Sequence, residues 1–334
     1  MNDAGGFRGI ERGRPAVVLA PMEGVTEAPM RGLLTEIGGF DYCVSEFVRV
    51  SQEIVPAKTF HNYVPELASA GRTAAGAYVQ VQLLGGDPER VARSALQAVR
   101  VGAPGIDLNF GCPAPTVNRN DGGASLLRDP CRLGAIVRAV REAVPAHMPV
   151  SAKLRLGWDD MNAIHETARR AEEGGASWIT IHARTKVQGY IPPAHWHKIG
   201  EVRREVSVPV VANGEIWTVE DFERCREVTG CEHFMLGRGA VADPYLAREV
   251  ARRLGIAVAD APIEACVRET HWPRLVDRFV EISTAHDGGP GYLTRRIKQW
   301  FRMRNSRFPT PVFQQLKLAE TYAQMKEILS AAYS

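Results

Sequence analysis

The 334-residue chain lacks the patterns that define several large classes of protein. Its six cysteines are scattered and include no Cys-x-x-Cys pair, which argues against a zinc site and a disulfide framework and is typical of a reducing compartment. No hydrophobic run approaches the roughly 18 residues that a membrane helix requires. Residues 1–15 are polar and glycine-rich, without the apolar core of a secretory signal, and are expected to form a flexible tail. We therefore expect a cytoplasmic protein with no membrane partner.

The chain has little net charge, and its excess positive charge lies near the C-terminus. Residues 1–255 contain 30 basic and 30 acidic side chains, whereas residues 256–334 contain 11 and 8. The segment RRIKQWFRMRNSRF, residues 295–308, holds six basic and no acidic residues, with aromatic residues between them. A solvated helix face would explain a charge run, but basic and aromatic residues together favour contact with nucleic-acid phosphates. Arg296 and Lys298 are the leading candidates.

Short runs rich in β-forming residues recur about 30 residues apart, with amphipathic segments between them, and predict a TIM (β/α)8 barrel. An open doubly wound sheet is the alternative, but it typically has fewer strands. Beyond residue 253 the periodicity is helical only. We expect a barrel over residues 16–252 and a smaller all-helical domain over residues 253–334. The eight predicted strands are AVVLAPM (16–22), DYCVSEF (41–47), YVQVQLLG (78–85), GIDLNFG (105–111), VSAKLRLG (150–157), WITIHART (178–185), VPVVANGE (208–215) and HFMLGRGA (233–240).

The ends of the predicted strands carry polar or small residues, and in a TIM barrel the strand ends carry the site. Lys153 lies in an apolar run, where an ammonium is costly unless it meets an anion or a polarised oxygen. A histidine such as His182, taken alone, is more often a hydrogen-bonded core residue than a catalytic one. GRGAVA, residues 237–242, fits a dinucleotide-binding pattern but follows the eighth run, so a phosphate cradle formed by Gly237 and Arg238 is the better interpretation.

One cysteine lies in a predicted loop, where burying its thiol would add little stability. Cys112 stands between a glycine and a proline in DLNFGCP, after a predicted strand, and a thiol there can be a nucleophile, a metal ligand or a proton donor. An isolated thiol is mostly protonated at neutral pH, so general acid catalysis is chemically natural. No cysteine or histidine stands nearby at metal-ligand spacing. His195 and His197 are better explained by surface packing than by a metal, and we predict no metal site.

Taken together, the motifs resemble the tRNA-dihydrouridine synthases, in unbroken order from about residue 18 to 240. EFVRV, HARTKVQGY and RIKQW resemble the bacterial C subfamily, which acts on uridine 16 of tRNA. The full set is LAPMEGVTEAPMR, SEFVRVS, VQLLGG, DLNFGCP, GGASLLRDP, KLRLGW, IHARTKVQGY, NGEIW and MLGRGA, with RIKQW near the C-terminus.

The resemblance implies an FMN-binding TIM barrel followed by a helical tRNA-binding domain, acting as a monomer. NADPH would reduce the flavin, the flavin would pass a hydride to C6 of a flipped-out uracil, and Cys112 would protonate C5. The implied flavin-binding residues are Met22, Glu23, Gly24, Gln82, Lys153, His182, Asn213, Gly214, Glu215, Gly237 and Arg238. Asn109, Arg184 and Tyr190 would meet the uridine or its neighbours, and Arg49 the tRNA.

Two departures and two rival functions accompany this resemblance. Pro115 stands where the family commonly has a lysine, and the loop VQGYIPPAHWHK is unlike that of its relatives. An FMN barrel acting on a small pyrimidine, similar to dihydroorotate dehydrogenase, would not need the basic helical region. An RNA-binding protein without catalytic activity is the second rival, but it would leave Cys112 and Lys153 without a functional explanation.

Overall fold

A computed structural model of the protein describes residues 6–118, 122–258, 270–286 and 288–333. Eight parallel strands form a closed barrel, in which each strand pairs with two neighbours and β2 pairs with both β1 and β4. A two-residue strand, β3, extends the edge of β4. The strands are β1 (Ala16–Leu19), β2 (Tyr42–Val44), β3 (Val48–Arg49), β4 (Tyr78–Leu84), β5 (Ile106–Asn109), β6 (Val150–Arg155), β7 (Trp178–His182), β8 (Val210–Asn213) and β9 (His233–Leu236). The predicted TIM barrel is confirmed.

Helices surround the barrel and form a helical C-terminal region, as predicted. None of the described helices is long and apolar enough to cross a membrane. Those of the barrel are α1 (Ala28–Ile37), α2 (Ala57–Tyr63), α3 (Pro88–Arg100), α4 (Pro115–Asn118), α5 (Pro130–Ala143), α6 (Ala163–Glu173), α7 (Trp196–Glu205), α8 (Val219–Thr229), α9 (Arg238–Ala242) and α10 (Leu246–Arg253). Those of the C-terminal region are α11 (Trp272–Ala285), α12 (Pro290–Arg307), α13 (Pro311–Leu316) and α14 (Tyr322–Ala332).

Local sequence explains where several helices begin. Asp87 and Asp129 cap α3 and α5 by accepting a backbone N–H from the first turn, and proline follows each of them at a position that needs no N–H donor. Thr218 and Thr321 form reciprocal capping boxes at α8 and α14. The barrel strands are almost completely buried beneath the surrounding helices.

The amino-terminal segment covers the end of the barrel opposite the carboxyl ends of the strands. The Phe7 ring packs 5.0 Å from Tyr42 and 5.2 Å from Tyr78, measured between ring centroids. Gly9 has a φ of +72° and lies so close to Trp178 that a Cβ atom would come within 2.2 Å of its ring. The prediction of a flexible tail is therefore wrong for this segment, because its aromatic side chain completes the apolar floor; residues 1–5 lie outside the described residues.

Two of the three aromatic residues of the basic C-terminal segment belong to the core. Trp300 and Phe301 are 2% and 1% exposed and pack against Trp272 of α11. Trp300 also donates its indole N–H to the Val241 carbonyl at 2.7 Å, which joins α12 to α9 of the barrel. The expectation that aromatic and basic side chains together face a phosphate is corrected here, because Trp300 and Phe301 point inwards together with the buried Arg304, and the exposed cations of this segment are Arg295, Arg302 and Arg307.

Candidate active site

A cavity of about 560 Å³ opens at the carboxyl ends of the barrel strands. Its volume is in the range of cofactor and small-molecule sites. Most of the residues predicted from the sequence line this cavity, although they come from loops far apart in the chain. They are Met22, Glu23, Gln82, Asn109, Cys112, Lys153, His182, Tyr190, Asn213, Gly214, Glu215, Gly237 and Arg238.

Other predicted residues do not line the cavity. Gly24 has a φ of +66°, which favours glycine, and its N–H bonds to the Glu46 carboxylate. Arg49 is exposed at the end of β3, and its guanidinium contacts the Thr116 carbonyl at 3.4 Å. Lys298 is partly exposed on α12. The predicted contacts of Arg49 and Lys298 with RNA stay predictions.

Arg296 is directed at the barrel. Its Nη2 donates to the Val25 carbonyl at 2.7 Å, its Nη1 bonds to the Gly24 carbonyl, and its Nε lies 2.5 Å from the Glu27 carboxylate. The side chain is only 10% exposed. Arg296 therefore ties α12 to the loop after β1, and its cationic group is already occupied by protein partners.

Arg184 is fully buried beside the cavity. Its Nε donates to the Ile191 carbonyl at 2.9 Å and its Nη2 bonds to the Glu215 carboxylate at 2.5 Å. Glu215 has a φ of +61°, a conformation that costs energy for a residue with a side chain, and it also accepts from Arg238 at 3.3 Å. Arg184 thus positions Glu215 from behind, while Arg238 lines the cavity itself.

A chain of hydrogen bonds runs from a buried carboxylate to the turn that holds Cys112. Asp107 accepts from Gln82 Nε2 at 2.6 Å and from Ser151 Oγ at 2.5 Å. Gln82 Oε1 accepts from Asn109 Nδ2 at 2.8 Å, and Asn109 Oδ1 accepts from the Cys112 backbone N–H at 2.9 Å. An ionised carboxylate only accepts hydrogen bonds and a backbone N–H only donates them. The side-chain amides of Gln82 and Asn109 can therefore each take only one orientation.

The Cys112 thiol is partly buried and lies on the cavity wall. Burial raises the pKa of Cys112 above its ordinary value, although a hydrogen bond from the Ala114 backbone and the positive charges of Arg155 and Lys153 act in the opposite direction. The thiol is therefore protonated at neutral pH, as a proton donor must be. The groups that oppose the shift are those that would stabilise a thiolate after the proton has left.

Positive charge is concentrated around Lys153. Its Nζ donates to Asn213 Oδ1 at 3.2 Å, and burial lowers the pKa of Lys153 to about 8, with a smaller contribution from Arg155. Burial, together with Arg155 and Lys153, holds the pKa of His182 well below its usual range, so its imidazole is neutral. Asp107 partly offsets this excess; burial raises its own pKa to about 6. The cavity is thus biased towards an anionic ligand.

Sequence reasoning missed several residues of the site. Arg155 lies two residues after Lys153, and Asp107 two residues before Asn109, so the period-two alternation of strands could have indicated both. Met303 also lines the cavity, but it comes from α12, where no strand-end pattern could reveal it.

These groups fit a planar cofactor that carries a phosphate, such as FMN. Lys153 is a cation beside the space for a ring, and Arg238, which contacts Glu215 at 3.3 Å, is 30% exposed and can also meet a phosphate. The His182 Nδ1 atom is buried without a hydrogen-bond partner among the described residues. Gly214 has a φ of +112°, and a Cβ atom there would lie 3.3 Å from the His182 imidazole, so glycine keeps this part of the cavity open.

The sequence is similar to one family throughout most of its length. The family model for dihydrouridine synthase (Dus) matches residues 18–287. The chain is 48% identical over 296 residues to the tRNA-dihydrouridine(16) synthase of Aquipseudomonas alcaligenes, covering 89% of this chain and 92% of the relative. The protein of the same name from Pseudomonas putida is 45% identical over 317 residues, with 94% and 96% covered. That from Ralstonia nicotianae is 52% identical over 292 residues, with 85% of each covered.

Solved structures resemble the fold at low sequence identity. Histamine dehydrogenase from Rhizobium sp. 4-9 superposes with a TM-score of 0.54 at 14% identity, covering 80% of this chain and 49% of that one. A complex of 2-naphthoyl-CoA reductase gives a TM-score of 0.56 at 13% identity, covering 71% and 50%. The chain thus spans about half the length of these two proteins, and the similarity concerns the barrel fold alone.

Proposed function

Since the chain belongs to the dihydrouridine synthase family, we propose that it reduces the C5–C6 double bond of a uridine in tRNA to 5,6-dihydrouridine. Relatives that are 42% to 52% identical over most of their length are named tRNA-dihydrouridine(16) synthases, which supports uridine 16 as the target. The observation that carries the chemistry is the protonated Cys112 thiol on the wall of a cavity rich in cations.

Reduction of the double bond adds a hydride at C6 and a proton at C5. When bound, FMN would supply the hydride, which it would recover from NADPH. Lys153, His182 and Gln82 are assigned to its ring, and Arg238 with the backbone of Gly237 to its phosphate. These assignments follow the cations and hydrogen-bond donors of the cavity wall.

Cys112 is assigned as the general acid. Its Sγ–H bond breaks as the proton moves to C5, and the electron pair of that bond stays on sulfur as a thiolate. The Ala114 N–H, Lys153 and Arg155 favour this thiolate electrostatically. The hydrogen bond from the Cys112 backbone N–H to Asn109 holds the turn in place during the transfer.

The cavity is enclosed by the barrel, so a base within a stacked strand could not reach it. We therefore expect the uridine to be extruded from the tRNA before it reacts. The exposed basic side chains of α12, among them Arg302 and Arg307, support the assignment of the helical region to tRNA binding.

The function is tested by incubating the protein with unmodified tRNA, FMN and NADPH and mapping dihydrouridine along the tRNA by mass spectrometry. Reduction at position 16, abolished when that uridine is replaced by cytidine, is the expected result. Reduction of a free pyrimidine without any action on tRNA would instead favour the small-molecule oxidoreductase. Binding of tRNA by a protein that takes up no flavin would favour the non-enzymatic RNA-binding function.

Replacing Cys112 tests the proton donor. We expect Cys112→Ala to lower turnover at least 100-fold, because general acid catalysis typically contributes about 10²- to 10⁴-fold. The affinities for tRNA and FMN should stay close to those of the unmodified protein. Cys131→Ala, at an exposed thiol, is the matched control. Wild-type turnover in Cys112→Ala would remove the assigned acid.

A further inference from the structure

Two cations contact the same tryptophan on the rim of the barrel. The Arg128 guanidinium lies 3.7 Å from the centroid of the Trp158 ring, and the Lys186 ammonium lies 4.1 Å from it. The two charges are therefore within about 8 Å of each other, close enough to repel at a protein surface. We call these three residues the Trp158 cluster.

The Trp158 cluster lies beside the mouth of the active site. Arg128 follows β5, Trp158 follows β6 and Lys186 follows β7, so three consecutive loops at the carboxyl ends of the strands contribute to it. Backbone hydrogen bonds join the last two loops: the Lys186 N–H donates to Gly157 at 2.9 Å and the Val187 N–H donates to Trp158 at 2.8 Å. The loop of Lys186 continues to Tyr190, which lines the cavity.

The positive charge of the cluster is not neutralised by the described residues. Neither Arg128 nor Lys186 forms an ion pair or side-chain hydrogen bond within the described part of the chain. Asp159 and Asp160 follow Trp158, but their carboxylates accept backbone N–H groups of their own loop. Exposed cation–π contacts contribute only about 0.5–1 kcal/mol each. Among the described residues, the arrangement thus leaves two cations without an ion pair and available to an external anion.

We propose that the Trp158 cluster binds the phosphate backbone of the RNA strand that flanks the reacting uridine. This inference rests on the proposed function and adds a contact point on the barrel to those expected on the helical region. A phosphodiester supplies the missing negative charge, and the cations already lie over the indole ring, so the contact is with phosphate rather than by stacking of a base. It should hold the strand in position without reading its sequence.

The test uses Arg128→Gln, Lys186→Gln and the double variant in the flavin-loaded, full-length protein. Arg138→Gln is the matched control, because Arg138 is an exposed cation on the outer helix α5. The affinity for unmodified tRNA is measured between 50 and 200 mM NaCl. We expect the double variant to bind tRNA about tenfold more weakly. The slope of log affinity against log salt concentration should be shallower by about 1.5, since each lost phosphate contact removes roughly 0.7 to 0.9 from that slope.

The turnover number at saturating tRNA and the NADPH concentration that half-saturates flavin reduction without tRNA should both be unchanged. A salt dependence equal to that of wild type would overturn the inference. So would a defect confined to NADPH, which would assign the cluster to the phosphates of the dinucleotide. If wild type reduces tRNA while the double variant binds it equally well, only this inference fails. If wild type does not bind tRNA, the proposed function fails first.

Discussion

Lys153 carries a large electrostatic cost because it is enclosed by the barrel close to Arg155. Among the described residues, its one side-chain hydrogen bond is to the neutral amide of Asn213. Asp107 lies close enough to favour the ammonium, but that carboxylate is itself engaged by Gln82 and Ser151. Such a residue costs folding stability, which points to a ligand that is anionic near Lys153.

This cost has a definite pH dependence. The pKa of Lys153 is about 8 in the folded protein, against about 10.4 in an unfolded chain. Between these values only the unfolded state binds the proton, so folding stability rises with pH. Relative to Lys153→Met, we expect flavin-free wild type to gain about 1.4 kcal/mol per pH unit between pH 8 and 10, measured by chemical denaturation. Parallel stability curves for the two proteins would contradict this expectation.

Individual residues were predictable from sequence when they broke a local rule. Lys153 in an apolar strand and Cys112 between glycine and proline both did so, and both line the cavity. The family resemblance implies that Arg184, which follows β7 in the motif IHARTKVQGY, contacts the substrate. Strand ends, however, also supply residues that only position other side chains of the site. Only the position of Ile191 and Glu215 in space reveals that role.

At the scale of elements, the contact between α12 and the loop after β1 joins the C-terminal region to the site. Arg296 bonds to two carbonyls of that loop, and Tyr292 donates its hydroxyl to Glu27. Arg296 is only 10% exposed and has several hydrogen-bond partners, so it is costly to remove, because the partners lose their hydrogen bonds as well.

We expect Arg296→Met to lower the free energy of unfolding by about 2 kcal/mol, as judged by thermal or chemical denaturation. Arg302→Met is the control on the same helix, because Arg302 is exposed, and it should change stability by less than about 0.5 kcal/mol. A stable Arg296→Met protein with weakened tRNA binding would instead favour the RNA contact predicted from the sequence.

Element type followed from sequence more readily than element number. All eight predicted strand segments coincide with barrel strands, because buried parallel strands are short apolar runs with regular spacing. The helical periodicity beyond residue 253 does not show that α13 and α14 are separate helices; Thr321 and Gln324 form a capping box that starts a new helix there. The two-residue strand β3 is too short for any periodicity to indicate.

At the scale of the whole molecule, the amino-terminal segment closes the barrel floor. Gly9 and Gly13 both have positive φ values, but a Cβ atom would meet the Trp178 ring at Gly9 and nothing within 4 Å at Gly13. Alanine at either position carries the same backbone cost of about 1 kcal/mol. We expect Gly9→Ala to lower the free energy of unfolding by about 1–3 kcal/mol more than Gly13→Ala does, because Trp178 or the amino-terminal segment must move. Denaturation of both variants measures the difference. Equal losses in the two variants would show that the segment does not pack on the floor.

The loop after β1 has two roles: Met22 and Glu23 line the cavity, while Gly24 and Val25 accept hydrogen bonds from Arg296. Thermodynamic linkage then requires reciprocity. Any ligand that binds more tightly when α12 holds this loop in place must strengthen the attachment of α12 to the barrel by the same factor. Occupation of the cavity and docking of the helical region therefore form one coupled equilibrium, in which a ligand of this kind in the barrel also holds the helices against it.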